Sequence, residues 1–251
     1  FNDQANGSAG AIPVPKMNLL AAPPRLDGNL GDQTDWLRLL IFHEFTHILQ
    51  LDQVSGIPRV LNGIFGRVIA ANHNLPSFQL EGGAVWAESM TTGYGRIHSA
   101  QFRGYLRAQA LADRLFGLDE VIHVPLEFPN ANVWYLYGGH FIDWAVQRLG
   151  TAWLGAFHAD IGRQLVAYSI NRATKRATGE TLASLYAQWQ DALRAKSHRE
   201  ARDIRALGET PIDLLTTSGR KHENVRFLQD GTLLSLDGAH EEFGIYARRP
   251  R

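Results

Sequence analysis

Apolar residues recur every three to four positions through most of the chain, then alternate near its end. The first helical stretch starts at Thr34-Asp35 and runs from Trp36 to about Asp52, carrying Leu39-Leu40-Ile41-Phe42 and Ile48-Leu49. Gly56-Ile57-Pro58 breaks it. Pro58 then opens a second helix through about Ala70, with Val60, Leu61, Ile64, Phe65, Val68 and Ile69 at helical spacing. After a loop at Asn72–Pro76, a third helix spans Phe78 to about Met90. A fourth covers Ser99 to Phe116, with Phe102, Leu106, Ala110 and Ala112–Leu115 placed for burial. Residues 117–131, with Pro125 and Pro129, read as irregular, and Asn132–Leu149 as a helix stopped by Gly150. Residues 151–206 read as mostly helical.

Two stretches follow strand rules instead. Ile12–Leu20 reads as one extended segment, and Pro13 and Pro15 make it an edge strand because they cannot donate to a ladder on both sides. Such an edge could add a peptide as a further strand. Past Arg205, Ile212–Leu215, Val225–Leu228, Thr232–Leu236 and Gly244–Ala247 predict four short strands, with Asp230-Gly231 as a hairpin turn. Four such strands match one propeller blade, which cannot bury both its faces alone. The expected fold class is therefore mainly α with a small β portion (α+β). A domain at residues 1–206 is followed by a β segment at 207–251, the start of a larger β domain.

The first helix carries His43-Glu44-Phe45-Thr46-His47. At 3.6 residues per turn, the two imidazoles stand one turn apart on one face and aim at a common point. Glu44 lies beside that face, placed to hold a water without becoming a ligand. HExxH on a helix is the pattern of a zinc site with a built-in base, and one Zn2+ per chain is expected. An unliganded His-Glu-His cluster inside an apolar helix would be costly to desolvate.

A catalytic zinc takes three protein ligands and keeps one position open. The third helix offers Glu81 and Glu88, two turns or about 10.5 Å apart along the axis, so both cannot bind one ion. Gly82 and Gly83 let this helix approach the His helix closely next to Glu81, which makes Glu81 the expected third ligand. Glu88, on the same face, is either an outer acceptor for a ligand imidazole N–H or an exposed helix charge. The longer metzincin motif is excluded, because Gln50 and Gln53 stand where its Gly and third His belong. His158, His198, His222 and His240 have no ligand-like spacing.

Composition narrows the classes. In 251 residues, 25 basic and 25 acidic side chains cancel, which gives no steering toward nucleic acid or an anionic membrane. With no cysteine there are no disulfides and no thiolate ligands. No apolar run approaches the ~20 residues that span a bilayer. The first residue is Phe1 and no leader pattern follows, so a mature or excised piece of a longer chain is expected.

His43-Glu44…His47, followed by Leu80-Glu81-Gly82-Gly83-Ala84-Val85-Trp86-Ala87-Glu88, resembles the gluzincin peptidases. Their third ligand is the Glu of an E-G-x-A-x-aromatic-x-E helix, as in aminopeptidase N-like enzymes. The sequence is similar more specifically to the peptidase-MA-like domains of bacterial proteins that carry a TolB-type β-propeller downstream. Asn6-Gly7, Pro23-Pro24, Asp35-Trp36-Leu37-Arg38, Leu51-Asp52-Gln53, Pro58-Arg59 and Tyr135-Leu136-Tyr137-Gly138 fit that group. The resemblance covers most of residues 1–195. It implies a zinc peptidase acting on a peptide or protein substrate, in the periplasm or cell envelope, with a propeller able to engage a protein partner. It also implies that Tyr135, three residues before Gly138, stabilises the oxyanion of the transition state; Tyr137 and His140 are rivals for that part. The Gly-x-Met-Glu-Asn segment that grips a substrate N-terminus is absent from residues 1–30, which favours endopeptidase action. The alternative is a non-catalytic zinc-binding scaffold that keeps the fold.

Overall fold

The structure is a computed structural model that describes residues 6–20, 22–24, 33, 35–165, 169–215, 222–237 and 244–249. It is mainly helical with a small antiparallel β portion, and it divides into two compact units, Phe1–Asp203 and Ile204–Arg251. Thr34 and His240 lie outside the described residues.

The first unit begins with a hairpin, β1 (Asn6–Gly10) and β2 (Lys16–Leu20), paired antiparallel with Gly7 opposite Leu19 and Gly10 opposite Lys16. The single strand expected over Ile12–Leu20 is thus only half strand. Pro13 and Pro15 sit in the connection, where a missing N–H costs no ladder bond. Helix α1 (Trp36–Leu51) is capped by Asp35, whose carboxylate accepts from the Arg38 N–H at 3.3 Å. The hairpin packs on α1.

Helix α2 (Gly56–Phe65) is shorter than the periodicity predicts. Gly66 takes φ 79°, and Asn62 accepts from the Val68 and Ile69 N–H groups while donating to the Ile69 carbonyl. That side chain folds the following segment back, so the helix cannot continue. Ile57, Val60, Ile64, Phe65 and Val68 are 56–69% exposed. A 3-10 turn at Ala71–Asn74 follows, then α3 (Ser77–Thr92), closed by Gly93 in the left-handed region.

Helix α4 (Ala100–Leu111) buries Phe102, Leu106 and Ala110 but ends before the expected Ala112–Leu115 face, since Asp113 takes φ 52°. The stretch expected to be irregular contains α5 (Leu118–His123), whose start is capped when Glu120 accepts from the Gly117 N–H at 2.7 Å. Then come α6 (Val133–Leu149), α7 (Ala152–Gly162), α8 (Ile170–Thr178) and α9 (Leu182–Ala206).

The core is centred on α6. Tyr137, Phe141 and Ile142 are fully buried against Phe78, Phe157, Leu185, Tyr186 and Trp189. Helix α3 lies between α1 and α6 and packs on both. Its crossing with α6 is glycine on glycine: a Cβ at Gly82 would collide with the Gly138 backbone, and one at Gly138 with the Phe78 carbonyl. The two glycines expected to face the His helix therefore divide their work. Gly82 faces α6, and Gly83 faces Gln50 of α1.

In the second unit, β3 (His222–Phe227), β4 (Leu233–Asp237) and β5 (Gly244–Arg248) form an antiparallel sheet in that order. The turn between β3 and β4 uses Asp230, which accepts from the Thr232 N–H at 2.9 Å, and Gly231 at φ 81°. Ile212–Leu215 is not a strand. It follows Pro211, has no strand beside it among the described residues, and leaves Ile212 and Leu214 exposed.

Candidate metal and catalytic site

The inner face of α1 brings His43 and His47 together, with ring centroids 4.8 Å apart and ring planes at 89°. From α3, Glu81 meets both: its Oε2 lies 3.0 Å from His43 Nε2 and 3.3 Å from His47 Nε2, and the two Nε2 atoms are 3.2 Å apart. Among the described residues these three form a group able to hold a metal ion, all ligand atoms lying within 4.8 Å of one another. Three lone-pair atoms this close repel unless something positive sits among them. A proton bridges only two of them, whereas a cation serves all three. Tetrahedral zinc with bonds of about 2.0–2.1 Å separates its ligand atoms by about 3.3–3.4 Å, so the spacing fits a His2Glu site.

The far nitrogens are held too. His47 Nδ1 lies 3.1 Å from Gln50 Oε1, and Gln50 in turn donates to the Leu80 carbonyl at 3.2 Å. That fixes Gln50 Oε1 as the acceptor, His47 Nδ1–H as the donor and Nε2 as the free lone pair. His43 Nδ1 lies 2.8 Å from Oε2 of Glu88. Of the two readings open for Glu88, the structure excludes the exposed charge and has the acceptor: the side chain is fully buried.

Arg96, from the loop after α3, is also buried; its Nε and Nη2 donate to the two Glu88 oxygens at 2.8 and 2.7 Å. Burial pushes the Glu88 carboxyl up, but the Arg96 charge and hydrogen bonds outweigh it and hold the group below the usual carboxylate range. Glu81 is likewise held far below that range, its burial being outweighed by its contacts with the His43 and His47 imidazoles. For His43, burial and Arg96 oppose a charge, yet the bonds to Glu81 and Glu88 prevail and raise its pKa.

Glu44 is buried beside the cluster, and its Oε2 has no hydrogen-bond partner among the described residues. Burial raises its pKa, and the nearby imidazoles offset this only in part. Strand β1 passes against it: a Cβ on Gly7 would lie 2.6 Å from Glu44 Cγ, so a larger residue there would push the Glu44 side chain aside.

The three aromatic candidates on α6 separate clearly. The Tyr135 ring lies 6.0 Å from the His43 ring and 4.7 Å from the Arg96 guanidinium carbon. Burial, then the Glu81 charge, push its phenol up to about 12, which keeps it a donor at neutral pH. Tyr137 is in the core instead, donating to Gln109 Oε1 at 2.8 Å and accepting from the Phe116 N–H at 3.2 Å. His140 turns back on its own helix, with Nδ1 2.9 Å from the Leu136 carbonyl.

Sequence reasoning missed Gln50, Gly7 and Arg96. Gln50 had a signal, being three residues past His47 on the same helical face. Arg96 and Gly7 had none, since each reaches the site from another element. Neither the protein-family models, the curated proteins nor the solved structures searched contain a match to this chain.

Proposed function

We propose that the chain is a zinc-dependent peptidase of endopeptidase type, with His43, His47 and Glu81 holding one zinc ion. The observation that carries this reading is the Glu44 side chain buried beside three converging ligand atoms, its Oε2 without a hydrogen-bond partner among the described residues. When bound, zinc supplies Lewis acidity to a water and to a scissile carbonyl. Glu44, its pKa raised by burial, takes the proton of the attacking water and passes it to the leaving amine. Tyr135 gives a hydrogen bond to the developing oxyanion. Glu88 and Gln50 hold the ligand imidazoles in the tautomer that leaves Nε2 free. Strand β1 pairs only with β2 among the described residues, which leaves its other edge for an extended substrate running past Glu44.

Elemental analysis of the purified chain and digestion of a peptide library, each repeated with Glu44→Gln, test the reading. The expected result is about one zinc in both forms and hydrolysis slower by about 10²-fold or more in the variant, because the base is lost and the ligands are not. Equal turnover would remove Glu44 from its role. Zinc bound with no cleavage by either form would leave a metal-binding scaffold.

A further inference from the structure

Arg96 does more than neutralise a buried acid. Its Nε and Nη2 take one Glu88 oxygen each, and Nη2 also lies 2.9 Å from His43 Nδ1. Its guanidinium carbon lies 4.7 Å from the centroid of the Tyr135 ring. One planar cation therefore touches the outer acceptor of a ligand imidazole, that imidazole, and the phenol beside it. We propose that Arg96 is a positioning residue, which sets the His43 tautomer through Glu88 and seats the Tyr135 ring; this rests on the peptidase reading above.

The hydrogen-bond count explains how. Arginine only donates, so a bond from Arg96 to His43 Nδ1 would need the imidazole proton on Nε2, where it would block ligation. With Glu88 gripped by the fork, its Oε2 is fixed 2.8 Å from Nδ1, and the same oxygen serves Arg96 Nη2. Arg96 is then satisfied by Glu88, Nδ1–H donates to Oε2, and Nε2 keeps its lone pair toward Glu81 and His47. Glu88 is fully buried and Arg96 is 6% exposed, so neither has water as a substitute partner. A lysine offers one compact charge and neither the fork nor the flat face, so it replaces only part of this.

The test uses the whole chain. Long-range nitrogen-15 NMR of the metal-free protein, recorded at a pH above the raised His43 pKa, reads the His43 tautomer, and competition with a chromophoric chelator reads zinc affinity. Wild type should show Nδ1–H. Arg96→Met should lose that single tautomer and weaken zinc binding by about 10–100-fold. Glu88→Gln should act in the same direction, and the double variant should be no worse than the weaker-binding single, because both act through one contact. Arg96→Lys should recover part of the affinity. At saturating zinc, Arg96→Met should also show a lower kcat than Glu88→Gln at similar KM, since only the former unseats Tyr135.

A wild-type tautomer and affinity in Arg96→Met, or additive losses in the double variant, would overturn the proposal. If Arg96→Met does not fold, as near-UV circular dichroism would show, Arg96→Lys and the neutral double variant decide. A lysine variant equal to wild type in tautomer and affinity would be fatal to it. Failure of wild type to cleave any peptide would sink the peptidase reading alone, because tautomer and affinity are read without turnover.

Discussion

Helices α1 and α2 are about equally apolar, yet the fold treats them in opposite ways. Helix α1 buries Leu39 and Leu40 together with the polar His43, Glu44 and Gln50. Helix α2 buries little beyond Pro58 and turns Ile57, Val60, Ile64 and Phe65 outward. The difference lies in what each helix has beside it. α1 packs on α3 and the β1–β2 hairpin, which bring Glu81, Glu88 and a glycine strand to its polar groups. Helix α2 has no comparable neighbour among the described residues. His43 and Gln50 tolerate burial because partners meet them, and apolar groups stay exposed where no surface is offered.

The largest effect expected from this contrast is at Leu39, which is fully buried on α1. Leu39→Ala should cost about 2–5 kcal/mol, the loss of transfer energy plus a cavity in a packed site wall. Urea denaturation measures it. A loss below about 1 kcal/mol would mean that α1 is held less firmly than its burial implies.

The next is a pH effect from a buried polar pair remote in sequence from the HExxH motif. His158 Nδ1 lies 3.1 Å from Asn72 Oδ1, and burial lowers the His158 pKa to about 4. The unfolded imidazole, near 6.5, then binds more protons than the folded one between those values. The contribution is intact above pH 6.5 and is lost as pH falls toward 4, amounting to about 2 kcal/mol between pH 7 and pH 5. His158→Gln, which keeps a donor for Asn72, should show a shallower loss of stability across that window. Parallel slopes in the two proteins would show that His158 is not the group responsible.

The smallest effect is on α2. Ile64 is 67% exposed, so Ile64→Ser should change stability by no more than about 0.5 kcal/mol. A loss of several kcal/mol would show that the helix is covered in solution, and would erase the contrast with α1.

Much of the site could be read along the chain because it obeys the geometry of single helices. Four-residue spacing is enough to put His43 and His47 on one face, and two turns between Glu81 and Glu88 are enough to stop them sharing an ion. The strong periodicity of Asn132–Leu149 located α6 within a residue, with Gly150 at its end. Less of the ends and turns was legible. Asn62 shortens α2 through a side-chain contact, and Pro13 and Pro15 mark a hairpin connection, not an interrupted strand.

The chain by itself determined the HExxH face, the mainly α character and the helices that carry Glu81 and Tyr135, since each follows from spacing within one element. Tertiary structure alone decided which glycine faces which helix and that Glu88 is fully buried. It also decided that Tyr135 lies near His43 while Tyr137 enters the core, and that Arg96 stands beneath the site. These are relations between elements, and their distances depend on loops and crossings. A periodic pattern records only which face of a helix is apolar. It holds no record of what that face will meet.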